Sequence, residues 1–219
     1  MSDTAEVTVA DTVHWLHDEG LARLAAVGGA AASPLAAYTV EIATGTVTAF
    51  PAAVTGPGTD VLTLPADDLP NPAGTPGRLV VVGVTATESV LVLDLAALPE
   101  LNINAEHPEH TARAWLVQLL LTPGITITTN SVELEVPGSD RCRFTFIPGG
   151  DTLLTVDDRQ PPATTITLNA ATEGTGQLDV APDGAAELYL GTRFWQLQNA
   201  LSLNDGTWTA LIAQLGNTA

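Results

Sequence analysis

The chain has 219 residues, 45% of them hydrophobic, and a formal net charge of −18. This length and apolar content suit a protein that buries its own core, and they exclude a disordered chain. All seven basic residues are arginine, against 25 acidic residues. Nucleic acids and anionic membranes are bound through clustered cations, so we expect neither as a partner. The absence of lysine also excludes a P-loop lysine and Schiff-base chemistry.

The start of the chain predicts no targeting segment. Residues 1–15 lack the basic start and apolar stretch of a signal peptide. No apolar run approaches the ~20 residues that a membrane-spanning helix needs. Cys142 is the single cysteine, so no intrachain disulfide forms, and strand alternation predicts that its thiol faces the core. We expect a cytoplasmic protein.

The N-terminal part of the chain predicts a helix followed by a hairpin. Apolar spacing indicates a helix over 11–27, with Asp11 as its N-cap and a Gly-Gly stop after it. Two alternating segments within 38–50 flank a Thr-Gly turn, which indicates a β-hairpin. Repeated proline and glycine then mark a boundary. The predicted units are an N-terminal helix–hairpin subdomain at 1–50, a linker at 51–77 and a main domain at 78–219.

The sequence of the main domain predicts many strands and two further helices. Two strands flank a turn at 85–88, and a strand at 101–105 leads into a helix over 108–121. Beyond this helix the apolar period changes to two, and turn residues separate the segments. A helix over 205–215 follows. The alternating segments are 125–129, 131–136, 141–147, 152–156, 164–170, 176–180, 186–191 and 194–198.

These elements predict an α+β, β-rich fold. It has three helices, a mixed sheet and a C-terminal antiparallel meander. The period of two over most of the chain carries this interpretation, because a half-buried strand alternates apolar and polar residues. We see no internal repeat that would indicate a solenoid or propeller.

The turn between the strand at 101–105 and the following helix has the layout in which many proteins seat a phosphate. Such a turn needs glycines for close approach of the backbone, and usually a lysine. Residues 105–113 contain neither. Glu106 and Glu109 would repel phosphate and complement the positive helix end, and Pro108 suits the first helical position. We interpret the turn as a self-capped helix start.

The four histidines form two His-x-x-His pairs. They are His14, His17, His107 and His110. Residues three apart on a helix share one side, so each pair offers two metal ligands, with Asp18 or Glu106 as an oxygen ligand. If the pairs met in space, a four-histidine site would result, with Glu106 or Glu109 as base in metal-assisted hydrolysis. Ordinary surface and capping histidines are the alternative, because no zinc-type spacing accompanies the pairs.

Other candidate residues give no complete catalytic set. The acidic pairs at 67–68 and 157–158 lie in proline-rich turns, where aspartate is a common turn former. No serine lies in a Gly-x-Ser-x-Gly elbow. Trp195 and Tyr189 are candidates for lining a small-ligand groove, although aromatic residues in a β-rich chain also form core. We therefore expect no cofactor.

Several short sequence motifs, and their order along the chain, resemble those of a known protein family. A helix and hairpin precede two strands that end in Asp-Leu at 94–95, and a strand and a helix with Ala-Arg at 112–113 follow. The tail has a two-strand unit around Asp-Gly at 183–184 and then a helix. This order resembles the central region of large actinobacterial proteins that carry a LysM domain and a bacterial transcriptional activator domain, although both of these domains are absent from this chain.

That central region resembles a degenerate translocase-type ATPase, so the resemblance implies a nucleotide-binding-like core. The chain departs from the ATPase pattern at 105–113, where the glycines and lysine of a nucleotide turn are missing.

We expect a non-catalytic scaffold or interaction domain that binds a protein partner through a sheet edge or an exposed apolar patch. An alternative is a structural component of a phage particle or secretion assembly, in which the chain forms a homo-oligomer. A metal-dependent hydrolase that uses the histidine pairs is a second alternative. A small-ligand module built on Trp195 and Tyr189 is a third.

Overall fold

The computed structural model describes residues 7–55, 58–146, 150–158, 163–170 and 176–216. Three helices and a 13-stranded mixed sheet in this part of the chain confirm the predicted α+β, β-rich class. The strand order is β3-β2-β1-β5-β4-β13-β12-β11-β6-β10-β9-β7-β8. The strands are β1 (Leu35–Glu41), β2 (Val47–Pro51), β3 (Leu62–Leu64), β4 (Leu79–Thr85), β5 (Ser89–Asp94), β6 (Glu100–Asn104), β7 (Thr126–Thr129), β8 (Cys142–Phe144), β9 (Thr152–Asp157), β10 (Thr164–Leu168), β11 (Gly176–Val180), β12 (Ala186–Leu190) and β13 (Arg193–Ala200).

The helical segments are α1 (Val9–Trp15), α2 (Leu21–Ala30), α3 (Pro108–Leu121) and α4 (Asp205–Gly216). A π-helical turn (Leu16–Gly20) joins α1 and α2 into one continuous helix. The bounds of α3 are those that the sequence predicts, and α4 ends one residue later than predicted. Within the described ranges, none of these helices is both long enough and apolar enough to cross a membrane.

The first helix begins earlier than the sequence predicts. Thr8 is its N-cap, and the Thr8 hydroxyl accepts the backbone N–H of Asp11 at 3.2 Å. The Asp11 carboxylate in turn accepts the backbone N–H of Thr8 at 3.0 Å, which completes a capping box. Asp11 is therefore the acidic partner of the cap and not the cap itself. The helix also runs through the predicted Gly-Gly stop to Ala30.

Strands β4 and β5 are buried on both faces. On one face Val81 and Val92 pack in a cluster with Leu24 of α2. On the other face the alternating neighbours, such as Val82, join a cluster with Trp115 of α3. The nearly unbroken apolar runs of β4 and β5 are explained by this double burial, because a strand covered on one side only would alternate with polar residues.

The predicted linker contributes a strand to the same sheet. β3 lies within 51–77 and pairs with β2, and β1 pairs antiparallel with β5. The N-terminal hairpin is therefore joined to the main domain by backbone hydrogen bonds. Apolar Leu62 and Leu64 extend the hairpin in spite of the surrounding proline and glycine. The division of the chain into separate units stays a prediction.

The C-terminal half is more interleaved than a simple meander. β11, β12 and β13 form an antiparallel meander, and β9 and β10 form an antiparallel pair. β6 lies between β10 and β11 and runs parallel to both. The strand predicted over 131–136 is instead a short 3₁₀ turn at Val132–Leu134, where Leu134 is buried in the α3 cluster. Contact with α3 overrides the alternating pattern there.

Helix α3 completes the hydrogen bonding of β4. β13 pairs with β4 only along Gly83–Thr85, where a Cβ on Gly83 would collide with the carbonyl oxygen of Asn199. At Val81, the backbone N–H donates to Oε1 of Gln118 at 2.8 Å, and Nε2 of Gln118 donates to the Val81 carbonyl at 3.1 Å. The Gln118 side chain thus takes the place of a neighbouring strand.

Cys142 lies in β8 with its thiol in the core, as strand alternation predicts. The side chain belongs to the α3 cluster, and Sγ lies 3.8 Å from the carbonyl oxygen of Leu134. Burial raises the pKa of the Cys142 thiol, so less of it is the reactive thiolate at neutral pH. A nucleophilic role does not fit this setting.

We predict that Gln118→Met lowers the free energy of unfolding by about 2–4 kcal/mol, because the backbone N–H and C=O of Val81 then lack a partner in the core. Urea unfolding measures this change. Gln198→Met makes the same exchange at an exposed position and should change stability by less than about 0.5 kcal/mol. Equal midpoints for wild type and Gln118→Met would contradict the role of Gln118.

We predict that the Cys142 thiol reacts with a disulfide reagent such as dithionitrobenzoate only after unfolding. The buried side chain blocks access, and its raised pKa lowers the thiolate fraction. Absorbance of the released thiolate, followed with and without urea, measures the reaction. Full reaction in the native protein at the rate of free cysteine would contradict the burial of this thiol.

Candidate functional site

The two histidine pairs lie on opposite faces of the sheet. His14 and His17 belong to the first helix, whose apolar side packs on the Val81 face of β4. His107 and His110 lie at the start of α3, which packs on the Val82 face. The structure therefore does not bring the four histidines into one site, because the sheet separates them.

The first pair is a solvated surface pair. His14 and His17 are both exposed, and Nε2 of His14 lies 3.2 Å from the Asp18 carboxylate one helical turn later. Exposed ion pairs of this kind contribute little to stability. Within the described residues, no third metal-ligating side chain joins this pair closely enough to share an ion with it.

The second histidine pair, His107 and His110, lies beside the carboxylate of Glu109. His107 Nδ1 lies 3.1 Å from Oε1 of Glu109, and His110 Nε2 lies 3.9 Å from the same oxygen. The two imidazole rings stack with their centroids 5.0 Å apart. Ligand atoms of these three residues all lie within 4.8 Å of one another. The sequence pointed to Glu106 as oxygen ligand, but Glu106 precedes the helix and is exposed, whereas Glu109 shares the first helical turn with the histidines.

Protein groups close the turn before α3. The Ala105 N–H donates to Oδ1 of Asn169 at 3.0 Å, and Nδ2 of Asn169 donates to the Ala105 carbonyl at 3.0 Å. Pro108 occupies the first turn of the helix and is buried, and Glu109 adds negative charge there. His107 is the N-cap residue but makes no side-chain capping bond. The backbone at Ala105 is thus engaged by Asn169 and not open to a phosphate.

The acidic pairs have separate surroundings. Asp67 and Asp68 are exposed in a short 3₁₀ helix. Asp158 accepts a hydrogen bond from the buried Arg78 guanidinium at 2.8 Å, which also donates to Thr164 at 3.1 Å. This pair ties β4 to the C-terminal strands. The ion pair with Arg78 gives Asp158 a structural role.

Trp195 and Tyr189 do not line a common pocket. Register pairs Tyr189 with Phe194 and Leu188 with Trp195, so the two aromatic residues lie on opposite faces of the sheet. Trp195 packs edge-on against Phe50 at 5.2 Å. The Tyr189 hydroxyl donates to the Glu187 carboxylate at 2.6 Å, and this hydrogen bond raises the pKa of Tyr189.

Sequence reasoning missed a groove beside the start of α3, which we call the β8 groove. It has a volume of about 550 Å³ and lies over the strand ends at Thr152 of β9, Leu168 of β10 and Phe144 of β8, beside the start of α3 and the turn after β7. Its walls include three acidic and five apolar side chains. The acidic residues are Glu106, Glu109 and Glu133, and the apolar residues are Pro108, Val132, Phe144, Phe146 and Leu168.

The apolar wall of the β8 groove is open to solvent. The exposed fractions are 76% for Phe146, 70% for Val132 and 40% for Phe144. The sequence offered one signal, since Phe144 and Phe146 alternate with polar residues and so share a face. It gave no sign that this face would be uncovered, because coverage depends on which strand lies beside β8.

β8 is the last strand of the sheet in the described part of the chain. Ile127 N–H donates to the Arg141 carbonyl at 2.7 Å, and Thr145 N–H donates to the Thr129 carbonyl at 2.8 Å. The odd-numbered residues of this strand therefore face β7. Because successive peptide groups of a strand point to opposite sides, the N–H and C=O of Phe144 face away from the sheet.

Comparison of this chain with protein-family models, with curated proteins and with solved structures finds no match. Two features of the described residues remain as candidates for function. One is the β8 groove with its open sheet edge, and the other is the group formed by His107, Glu109 and His110. Both are positioned by the start of α3.

Proposed function

We propose that this chain is a non-catalytic protein-interaction domain, and that its β8 groove docks an extended, basic segment of a partner protein. The observation that carries this proposal is the exposure of Phe144 and Phe146 beside acidic side chains, next to a strand that has no outer neighbour among the described residues. Aromatic residues form the anchors of many protein interfaces because they bury a large area at low cost in conformational entropy.

The backbone of β8 supports an extended partner. The outward N–H and C=O of Phe144 can pair with one more strand, and strand addition at a free edge is a common mode of peptide recognition. In that mode the main-chain bonds give affinity, and alternate side chains of the peptide give specificity. An apolar side chain of the added strand would contact Phe144 and Phe146.

The charge of the groove selects the partner. Glu106, Glu109 and Glu133 line it, and the chain carries a net charge of −18. A segment with lysine or arginine at the positions between its apolar residues would meet these carboxylates. A second copy of this chain is a poor occupant, because it brings the same excess of acidic residues and no lysine.

We also propose that the core is related to nucleotide-binding cores and has lost its phosphate site. The parallel pairing of β6 with β10 and β11, and the direct passage from β6 into α3, support this proposal. Asn169 engages the backbone where such cores hold phosphate. Measurable affinity for ADP or ATP in isothermal titration would contradict the loss of the site.

We predict that selection from a displayed library of short random peptides yields sequences that alternate apolar residues with lysine or arginine. Phe146→Ser should weaken the selected peptides by about tenfold or more, because it removes an apolar contact at the groove. Fluorescence anisotropy of a labelled peptide measures the affinity. Binding should also weaken as the salt concentration rises, since the groove charges are exposed.

Phe194→Ser is the matched control. Phe194 is 50% exposed in β13, remote from β8 in the sheet order, so its substitution should leave peptide affinity unchanged. Three results would overturn the proposal: no peptide is selected, the selected peptides are acidic, or both phenylalanine variants lose affinity equally. Light scattering shows whether the chain is a monomer, and self-association that Phe146→Ser abolishes would assign the groove to a second copy instead.

A further inference from the structure

We propose that His107, Glu109 and His110 form a binding site for a divalent transition metal of the Zn²⁺ class. The site shares Glu109 with the β8 groove, but metal binding needs no partner protein and is measured on the chain alone. The three residues supply two imidazole nitrogens and one carboxylate oxygen within 4.8 Å of one another.

The distances suit a small cation. Bonds of about 2.1 Å place neighbouring ligand atoms of a tetrahedral ion about 3.4 Å apart. The observed separations from Oε1 of Glu109 are 3.1 Å to His107 Nδ1 and 3.9 Å to His110 Nε2. The two values lie on either side of the ideal. The imidazole rings are stacked at an interplanar angle of 23°, so metal binding requires the rings to rotate until both nitrogens point at the ion.

An unsatisfied nitrogen points to a ligand. Nε2 of His110 is buried and has no hydrogen-bond partner within the described part of the chain. The carboxylate oxygens of Asp205 and Glu109 lie 3.6 and 3.9 Å away, which is beyond hydrogen-bond distance. Both carboxylates are nevertheless within ion-pair distance of this nitrogen. A neutral imidazole without a hydrogen bond at Nε2 offers that nitrogen as a metal ligand.

The contacts around the site show which of the two nearby carboxylates is available as a metal ligand. Arg113 donates to Oδ1 of Asp205 at 2.6 Å, and this hydrogen bond lowers the pKa of Asp205. Asp205 is therefore held as the partner of Arg113 and is not counted as a ligand. The Glu109 carboxylate offsets the positive end of the α3 dipole, which by itself would disfavour a cation.

The ligand set selects the class of metal. Imidazole nitrogen favours Zn²⁺, Co²⁺, Ni²⁺ and Cu²⁺, whereas Ca²⁺ and Mg²⁺ prefer oxygen ligands only. Three protein ligands leave a coordination position for water, so the site is open and differs from the closed four-ligand form of structural zinc.

The experiment is a titration of the full chain, purified without a histidine tag and treated with chelator, with Zn²⁺. Isothermal titration should show one equivalent bound, and Co²⁺ should give a visible absorption band from nitrogen and oxygen ligands. His110→Gln and Glu109→Gln should each weaken Zn²⁺ binding by about tenfold or more. Circular dichroism checks that each variant is folded.

The chain contains its own matched control. His14→Gln combined with His17→Gln removes the other His-x-x-His pair, which is exposed on the opposite helix layer, and should leave the affinity and the Co²⁺ spectrum unchanged. Absence of Zn²⁺ binding to the wild type would overturn the proposal. Equal loss in the His14/His17 variant and the His110 variant would also overturn it, because it would show non-specific surface binding.

Discussion

The buried hydrogen bonds between the Gln118 side chain and the backbone N–H and C=O of Val81 are the constraint on which the rest of the structure depends. Without Gln118, these two backbone groups would be an unpaired strand edge inside the core. Because Gln118 lies in the second half of α3, these bonds fix both the depth and the rotation of the helix against β4. The rotation decides which side chains at the start of α3 face solvent.

Two arginines extend this constraint to the elements around α3. Arg113 donates to the carbonyl of Glu133 at 3.0 Å and to Asp205, so it joins the helix to the turn after β7 and to the start of α4. Arg141 donates to carbonyls at the end of α3, including that of Thr122 at 2.8 Å, where a cation also complements the helix dipole. The segment that leads into β8 is thereby tied to α3, and the walls of the β8 groove are held by the same helix.

The spacing of apolar residues predicted those helices and strands that are buried in the same way along their whole length. The bounds of α3 and the strands β4 and β5 follow from continuous apolar spacing, and burial on both faces explains that spacing. The 3₁₀ turn at Val132–Leu134 was mistaken for a strand because its apolar residues alternate in the same way. Sequence patterns did not predict the β8 groove, because its residues come from segments far apart in the chain. Only the strand order brings these segments together. The choice between Glu106 and Glu109 depends on which side chain turns toward the imidazoles, and sequence spacing does not give side-chain direction at a helix start.

The scarcity of cations connects both proposed activities. Four of the seven arginines bond to groups elsewhere in the fold: Arg78 to Asp158, Arg113 to Asp205, Arg141 to the end of α3, and Arg193 to backbone carbonyls that include Ala53. Their charges serve internal contacts, and no lysine replaces them at the surface. The exposed field is therefore acidic around the start of α3, where Glu106, Glu109 and Glu133 lie together. A surface of this kind attracts cationic groups and repels anionic ones, so a basic peptide and a divalent metal are the two classes of ligand that its charge favours.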